Sequence, residues 1–434
     1  MVKLKWLQIE RFRQAAPCRL EFSDGFNVLL GRNGTGKTNL LKLIAMIAKG
    51  DFSGLKEEEF AFSYRIESGL EALEVDLRIW FEEHSDQMYD VRPGSSRPIR
   101  RFSYILTFVR AESSTVVATD RGPEGRLLVA GKPSSSPAPD PLSPNFLYDL
   151  GVVNTTSGPE DLLNLVTFLH VLESPGRFNE ALGAFESVLG ARDNRETNRV
   201  ELGPEAFALT IGAPVDEKGG LSLTCRFTPL GIVNYLLLKA EHRAFETIRV
   251  DKDGWVYLES WAELLGFESV TLLSTRSQRR LVPTPFPRIE HLFEDLTVHF
   301  TLPDGSIINQ DQLSFGQKRF LSFLWYLACN EQGVIIADEL VNGLHHAWIE
   351  HAMHAIPPRQ AFLASQNPLL FDFLTFESPE DVRKTFILCD LEDGERRRKW
   401  LWHAMEEDTA ARFFRAYRAG FQHVSELLRT KGIW

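Results

Sequence analysis

The opening of the chain switches abruptly from one hydrophobic period to another. Residues 3 to 12, KLKWLQIERF, and 18 to 22, CRLEF, alternate with the period of two expected of half-buried strands. A Ser-Asp-Gly turn at 23 to 25 then leads into FNVLL at 26 to 30, an unbroken apolar run that predicts a strand buried on both faces. After a glycine-rich loop, Leu40, Leu41, Leu43, Ile44 and Ile47 recur at helical spacing, and the pattern stops at Gly50. The order is strand, loop, helix.

Residues 73 to 81 and 102 to 109 alternate well enough to be strands of an antiparallel patch. The proline- and serine-rich KPSSSPAPDPLSPN, 132 to 145, predicts an exposed loop that does not pack. Helical patterns occupy 159 to 191 and 229 to 247, and 248 to 275 is mixed. From 296 the pattern is regular again. LTVHFTL, a Pro-Asp-Gly turn at 303 to 305 and SIINQ precede a helix over about 317 to 329. VIIA at 334 to 337, AFLA at 361 to 364 and TFILC at 385 to 389 read as three short buried strands. The ends of the chain therefore predict two halves of one head, 1–130 and 296–393, around an inserted lobe at 131–295. Residues 394–434 read as basic, aromatic helices.

The Gly-rich loop carries the first chemistry. Gly31-Arg-Asn-Gly-Thr-Gly-Lys-Thr38 matches GxxxxGK[ST] between a buried strand and a helix, which is the context a phosphate-binding loop requires. Its glycines let backbone amides turn inward around phosphate, Lys37 supplies a point charge, and Thr38 offers a hydroxyl to Mg2+. Arg32, Asn33, Gly34, Thr35, Gly36, Lys37, Thr38 and Asn39 are the candidate nucleotide-binding residues here. The strand Val334 to Ala337 ends in Asp338 and Glu339, a carboxylate for Mg2+ and a general base for the attacking water. Ser314 caps the helix that follows, and its free amides with Gly316 and Gln317 form a second anion site, distant in sequence from Lys37. A plain Ser-capped helix is the competing explanation.

Composition narrows the class. The 434 residues are 44% hydrophobic and 25% charged, as in a globular protein of two or three lobes. A net charge of -11 argues against a surface that attracts nucleic acid or anionic lipid everywhere. Charge is nevertheless segregated: residues 51 to 90 hold twelve acidic and three basic side chains, and 394 to 434 hold nine basic and five acidic. Cys18, Cys225, Cys329 and Cys389 make neither a CxxC pair nor a disulfide framework, which fits a reducing compartment. No apolar stretch approaches the ~18 residues of a membrane span, and the charged N-terminus does not read as a signal peptide. The expected location is cytoplasmic, without a membrane partner.

These motifs, with KLKWLQIERFR before FNVLLGRNGTGKTNLLKLI, resemble the SMC/RecF/OLD branch of ABC ATPases, the AAA-labelled ATPases found beside nucleases in bacterial anti-phage systems. The resemblance covers residues 1 to about 50 and 296 to 375. It implies an α/β ABC ATPase head, a mixed sheet with flanking helices, and an inserted mainly helical lobe. It also implies ATP and Mg2+ as cofactor pair, and a homodimer in which Ser314 and Gly316 reach the nucleotide held by the other subunit. Asn342-Gly343-Leu344-His345 resembles the D-loop that crosses such a seam. Lys37 and Leu313 stand 276 positions apart, so the insertion is substantial, but no sustained heptad marks a coiled coil.

One departure concerns the switch after the second of the short strands. The family usually has threonine and histidine where this chain has Ser365 and Gln366. Gln366 can donate a hydrogen bond to the terminal phosphate but carries no charge, so the expected turnover is slow. His345 and His346 are adjacent and lack a third ligand, which argues against zinc. Arg276, Arg279 and Arg280 are candidates for a local contact with nucleic acid.

Two functional readings follow from the resemblance. In the first, the chain is the sensor or regulatory ATPase of an anti-phage complex controlling a separate nuclease or toxin effector. In the second, it is a repair or chromosome-maintenance ATPase that clamps DNA itself. Under either, Ser314→Arg should leave each subunit folded and able to bind ATP while abolishing hydrolysis, because a bulky cation fills the phosphate site offered across the seam. Turnover at the wild-type level in that variant would rule out a shared site.

Overall fold

The computed structural model describes residues 1–82, 99–110, 113–119, 126–129, 132–143, 146, 209–214, 222–223, 232, 235–236, 247–282, 288–392 and 398–433. The chain forms two compact units. The first comprises Met1–Arg177, Gln332–Leu340 and Ile356–Trp434, the second Phe178–Glu331 and Val341–Ala355.

The first unit holds two sheets. One is antiparallel and built from β1 (Val2–Phe12), β2 (Cys18–Glu21), β4 (Phe60–Ser68), β5 (Glu71–Glu82), β6 (Ile99–Arg110), β7 (Ser113–Thr119), β8 (Arg126–Val129) and β9 (Lys132–Pro137). Its order is β2-β1-β4-β5-β6-β7-β8-β9. The period-two alternation is realised directly. Phe60, Phe62 and Tyr64 of β4, Leu73, Val75 and Leu77 of β5, and Phe102, Tyr104 and Leu106 of β6 are all buried. They share one hydrophobic cluster with Leu40, Leu41, Leu43 and Ile44 of helix α1 (Lys37–Lys49).

The other sheet positions the chemistry. It runs β16-β17-β3-β18-β19, from β3 (Phe26–Leu30), β16 (Ile335–Asp338), β17 (Ala361–Ala364), β18 (Phe386–Glu392) and β19 (Lys399–Ala404). β16, β17, β3 and β18 pair in parallel, with Asp338 opposite Ala364 and Ala364 opposite Leu29. Their C-terminal ends therefore lie along one edge, the place where open α/β sheets bind ligands. β19 closes the other side, antiparallel to β18. A buried amide ties the two sheets together. Gln360, fully buried, accepts from the amide of Leu4 at 2.7 Å and donates to the carbonyls of Leu4 and Ser23 at 2.8 and 2.7 Å.

The second unit carries a six-stranded antiparallel sheet, β11-β10-β14-β13-β12 with β15 paired to β14. The strands are β10 (Leu209–Pro214), β11 (Ser222–Leu223), β12 (Thr247–Val250), β13 (Ser269–Val282), β14 (Arg288–Thr301) and β15 (Ile307–Asn309). With it go helices α2 (Tyr257–Leu265), α3 (Phe315–Cys329) and α4 (His346–Ala355). Trp255, Trp261 and Trp325 meet in a buried aromatic cluster, with the first two rings edge to face at 4.8 Å.

Several expectations need correction. The proline-rich segment does not stay a loop, since Lys132–Pro137 is strand β9 and Ala138, Leu142 and Phe146 are buried. β9 is an edge strand, where a residue without an amide hydrogen is tolerated. The described part of the inserted lobe is mostly sheet. The helical pattern at 159–191 lies outside the described residues, and of 229–247 only Ile232, Tyr235 and Leu236 are described as helical. Residues 394–434 are not helices alone, because after α5 (Pro379–Thr385) the segment Lys399–Ala404 joins the head sheet before α6 (Glu407–Ala419) and α7 (Val424–Thr430). The strand escaped notice because its alternating KWLWHA is too short to stand out beside the charged run that precedes it.

The C-terminal helices pack into the first unit. Phe413 is buried, its ring 5.9 Å from that of Phe376 and 5.7 Å from that of Phe386. Val424, Leu427 and Leu428 are buried, and Asp372 accepts from the amide and hydroxyl of Ser425 at 2.9 and 3.1 Å. Arg412, Arg415, Arg418 and Phe421 face solvent, and Trp434 lies outside the described residues. Leu427→Ala should therefore destabilise the protein by about 2–5 kcal/mol in a denaturant titration, the usual cost of emptying a core position. A shift below about 0.5 kcal/mol, the range of surface substitutions, would show that α7 does not belong to the core.

Candidate nucleotide site

The phosphate loop spans the gap between β3 and α1 and needs its glycines. Gly31, Gly34 and Gly36 have φ of 149°, 85° and 85°, in a region that L side chains rarely enter. A Cβ at Gly31 would lie 2.1 Å from the backbone oxygen of Cys389, so that position is closed by contact as well as by conformation. Inside the loop, Lys37 donates from Nζ to the carbonyls of Gly31 at 2.6 Å and Arg32 at 3.0 Å. The Thr35 hydroxyl donates to Arg32 O at 2.8 Å. Arg32 and Asn33 are exposed on the loop, and the Asn39 side chain accepts from the Arg13 guanidinium. Burial under the loop pushes the Cys389 thiol up to about 12 and the Cys18 thiol up to about 11, which keeps both protonated and unreactive at neutral pH.

The strand register brings the acidic pair to this loop. The Thr38 hydroxyl donates to Asp338 Oδ2 at 2.6 Å, across 300 positions of sequence. Two oxygen groups that close can hold one hard cation between them and its waters, so this pair fits Mg2+. Glu339 follows at φ 54°, a left-handed conformation that is costly for a side chain of its type. Its amide donates to Ala364 O at 2.8 Å, and its two carboxylate oxygens accept from the amide of Gln366 at 3.1 Å each. The strained backbone thus turns the carboxylate toward the end of β17, and strain of this kind concentrates at functional sites. Gln366 is exposed, and it engages Glu339 through its main chain.

The second unit contains the serine motif. Ser314 is the N-cap of α3 in a reciprocal capping box with Gln317: Ser314 Oγ accepts from Gln317 N at 3.3 Å, and Gln317 Oε1 accepts from Ser314 N at 2.9 Å. The segment 341–345 packs directly on it. A Cβ at Gly316 would come within 2.7 Å of Gly343 O, and one at Gly343, whose φ is 78°, within 2.6 Å of the Phe315 ring. Trp348 backs this contact, its ring stacked 5.4 Å from Phe320 and its Nε1 donating to Leu264 O at 3.0 Å. His345 Nδ1 accepts from Ala347 N at 3.4 Å, a local bond at the start of α4. Among the described residues no group of three or more His, Cys, Asp or Glu side chains is placed to hold a metal. Arg276, Arg279 and Arg280 lie on β13, with side chains outside the described residues.

Three residues near the loop have no motif in the sequence to mark them. Trp400 Nε1 donates to Gly34 O at 3.0 Å and Trp402 Nε1 to Thr35 O at 3.1 Å. Arg13, at φ 50°, forks onto Glu58 with bonds of 2.8 and 2.6 Å. The alternation of Trp400 and Trp402 was visible, but which loop they would meet was not.

A P-loop at the end of one parallel strand, with paired carboxylates two strands away, defines a nucleotide-binding head of the ABC kind. A family model described as an AAA domain matches residues 7–111. A second, described as "AAA domain, putative AbiEii toxin, Type IV TA system", matches residues 190–372. Among curated proteins, a DNA double-strand break repair Rad50 ATPase of Archaeoglobus fulgidus is 43% identical over 56 residues, 13% of this chain and 6% of that one. A DNA replication and repair protein RecF of Clostridioides difficile is 42% identical over 59 residues, 13% of this chain and 16% of that one. The matches thus span less than a fifth of the curated relatives' length. Among solved structures, an Smc head bound to the C-winged helix domain of ScpA aligns over 93% of this chain and 99% of its own, at 13% identity and a TM-score of 0.39. The recombination mediator RecF aligns over 93% and 98%, at 14% identity and a TM-score of 0.33. Over these segments the chain is similar to AAA-domain ATPases and to the RecF and Rad50 repair ATPases.

The tight approach of Gly316 to Gly343 generates a test whose sign is informative. Glycine to alanine in an exposed helix ordinarily stabilises by up to ~1 kcal/mol. Here Gly316→Ala should destabilise by about 1–3 kcal/mol, since the new methyl must displace backbone. Urea unfolding reads the sign directly, and a stabilised variant would refute the contact.

Proposed function

We propose that the protein binds ATP with Mg2+ and hydrolyses it in a head-to-head homodimer. The observation that carries this is the single edge at which Lys37, Thr38, Asp338 and Glu339 come together, with Thr38 and Asp338 in direct hydrogen bond. In this reading the amides of residues 34 to 38 bind the phosphates, and Lys37 leaves the carbonyls of Gly31 and Arg32 to reach the outer ones. Thr38 and Asp338 hold Mg2+, which when bound neutralises charge developing on the phosphates. Glu339 accepts the proton of the attacking water, oriented by the amide of Gln366. The Gln366 side chain, uncharged, serves the terminal phosphate less strongly than a histidine, and slow turnover follows.

Ser314, Gly316 and Gln317 act on the nucleotide of the other subunit. Supporting this, Gly316 lies directly against Gly343 of the D-loop-like segment, so the two motifs meet. The dimer acts as the sensor or regulatory motor of an anti-phage system, and a separate nuclease or toxin protein carries the effector chemistry. The family model whose description includes a toxin and a type IV TA system supports that setting. The second reading, a repair ATPase that clamps DNA directly, draws on the Rad50 and RecF relatives. No helix among the described residues is long and apolar enough to cross a membrane.

Lys37→Ala should abolish ATP binding, whereas Glu339→Gln should preserve it, slow turnover by about 10²–10⁴-fold and lengthen the life of the dimer. Turnover assays with light scattering in ATP check both. Unimpaired hydrolysis in the Glu339 variant removes it as the base, and a monomer in saturating ATP removes the dimer. Strong stimulation by duplex DNA, lost with rising salt, would favour the second reading.

A further inference from the structure

A phosphate loop binds anions through backbone amides, so its function depends on which way a few peptide planes face. In a trans peptide the C=O of one residue and the N–H of the next point in opposite directions. Fixing a carbonyl on the outside of the loop therefore aims the following amide at the inside. Trp400 Nε1 holds the carbonyl of Gly34, which sets the amide of Thr35. Trp402 Nε1 holds the carbonyl of Thr35, which sets the amide of Gly36. Consecutive amides turned to one side make an anion nest.

The two indoles are well suited to this task. They stand at alternate positions of β19 and so project from the same face, with rings 5.8 Å apart and inclined by 18°. Indole N–H is donor only, so it holds a carbonyl without accepting from the amides that must stay free for phosphate. The platform is itself anchored. The amide of Trp400 donates to Gln14 O at 2.9 Å, its carbonyl accepts from Ala16 N at 2.8 Å, and β18 pairs along the strand. Trp402 is fully buried. Glycine at position 36 is what admits Trp400, since a Cβ there would fall 2.6 Å from the ring.

The carbonyls on the other side of the loop are held differently. Those of Gly31 and Arg32 are bonded by Lys37, a side chain from within the loop. The loop thus has one half clasped from outside by β19 and one half clasped by its own lysine.

We propose that Trp400 and Trp402 are positioning residues that hold the Thr35 and Gly36 amides facing the phosphates before nucleotide arrives, leaving Lys37 as the part that rearranges. The proposal rests on the reading of this loop as a nucleotide site, and it assigns the strand after the last parallel strand a role in affinity.

The test replaces each indole with a ring that lacks the donor. Trp400→Phe and Trp402→Phe, wild type and Lys37→Ala are titrated by calorimetry with ATP, ADP and inorganic pyrophosphate. Each Trp variant should bind all three about three- to ten-fold more weakly, the factor expected for one neutral hydrogen bond. KM for ATP should rise by the same factor with kcat within about two-fold, because the amides are already aligned once phosphate is bound. Equal loss for ATP and pyrophosphate identifies the nest. Loss for ATP with pyrophosphate unchanged would place the indoles against the base and overturn the proposal, as would unchanged binding of all three. Should Trp402→Phe fail to fold, Trp400→Phe decides alone, since that ring is only half-buried. If wild type binds ATP and pyrophosphate no better than Lys37→Ala, the nucleotide reading falls and the inference with it.

Discussion

The hydrogen bond between Thr38 and Asp338 is the constraint on which the site depends. It joins the start of one helix to the end of a strand 300 residues away, and it forms only if three parallel strands are in one register. Asp338 lies level with Ala364 and Ala364 with Leu29, so a slip of one residue along β17 would move the carboxylate away by more than 3 Å and turn it to the opposite face. The all-apolar character of these strands secures the register indirectly. Val28, Leu29, Ile335, Ile336, Phe362 and Leu363 are fully buried, and a slip would expose some of them on both faces. The geometry of this edge is a by-product of burying strands completely.

Around that fixed edge the protein places strain where orientation matters. Glu339 adopts a left-handed backbone, Gly31, Gly34 and Gly36 take conformations closed to other residues, and Lys37 lies folded onto the loop's own carbonyls. Of these the Glu339 conformation costs free energy, about 1–3 kcal/mol for a non-glycine residue, whereas glycine enters such regions without steric cost. The neighbouring hydrogen bonds offset it: the Ala364 carbonyl and the Gln366 amide hold Glu339 at both ends. In the second unit, Gly316 and Gly343 allow two backbone segments to touch where any side chain would separate them. The helix carrying Ser314 and the segment after Glu339 therefore meet at a backbone contact that a side chain would break.

Motifs were legible because they depend on local chain geometry. A GxxxxGK[ST] match between an apolar strand and an amphipathic helix, an apolar strand ending in Asp338-Glu339, and Ser314 before a helix all specify backbone turns and caps within a few residues. The turns and caps turned out as read: Gly36 precedes α1, Gly50 ends it, and Ser314 caps α3. Less legible was whatever depended on a distant partner. Lys132–Pro137 reads as a loop by composition and becomes a strand because β8 presents an edge on which prolines are tolerated.

The sequence by itself determined the head's parallel strands, its phosphate loop, its acidic pair and the serine cap, since period, glycine placement and capping act over one or two turns of chain. Tertiary structure alone decided that Asp338 meets Thr38, that Glu339 is strained against Gln366, that the C-terminal helices bury Phe413 and Leu427, and that Trp400 and Trp402 clasp the loop. The physical reason is common to these four. A tryptophan on an alternating strand announces that one face is buried, but its donor can be satisfied by any carbonyl on the opposing surface, and which surface arrives is settled by sheet order.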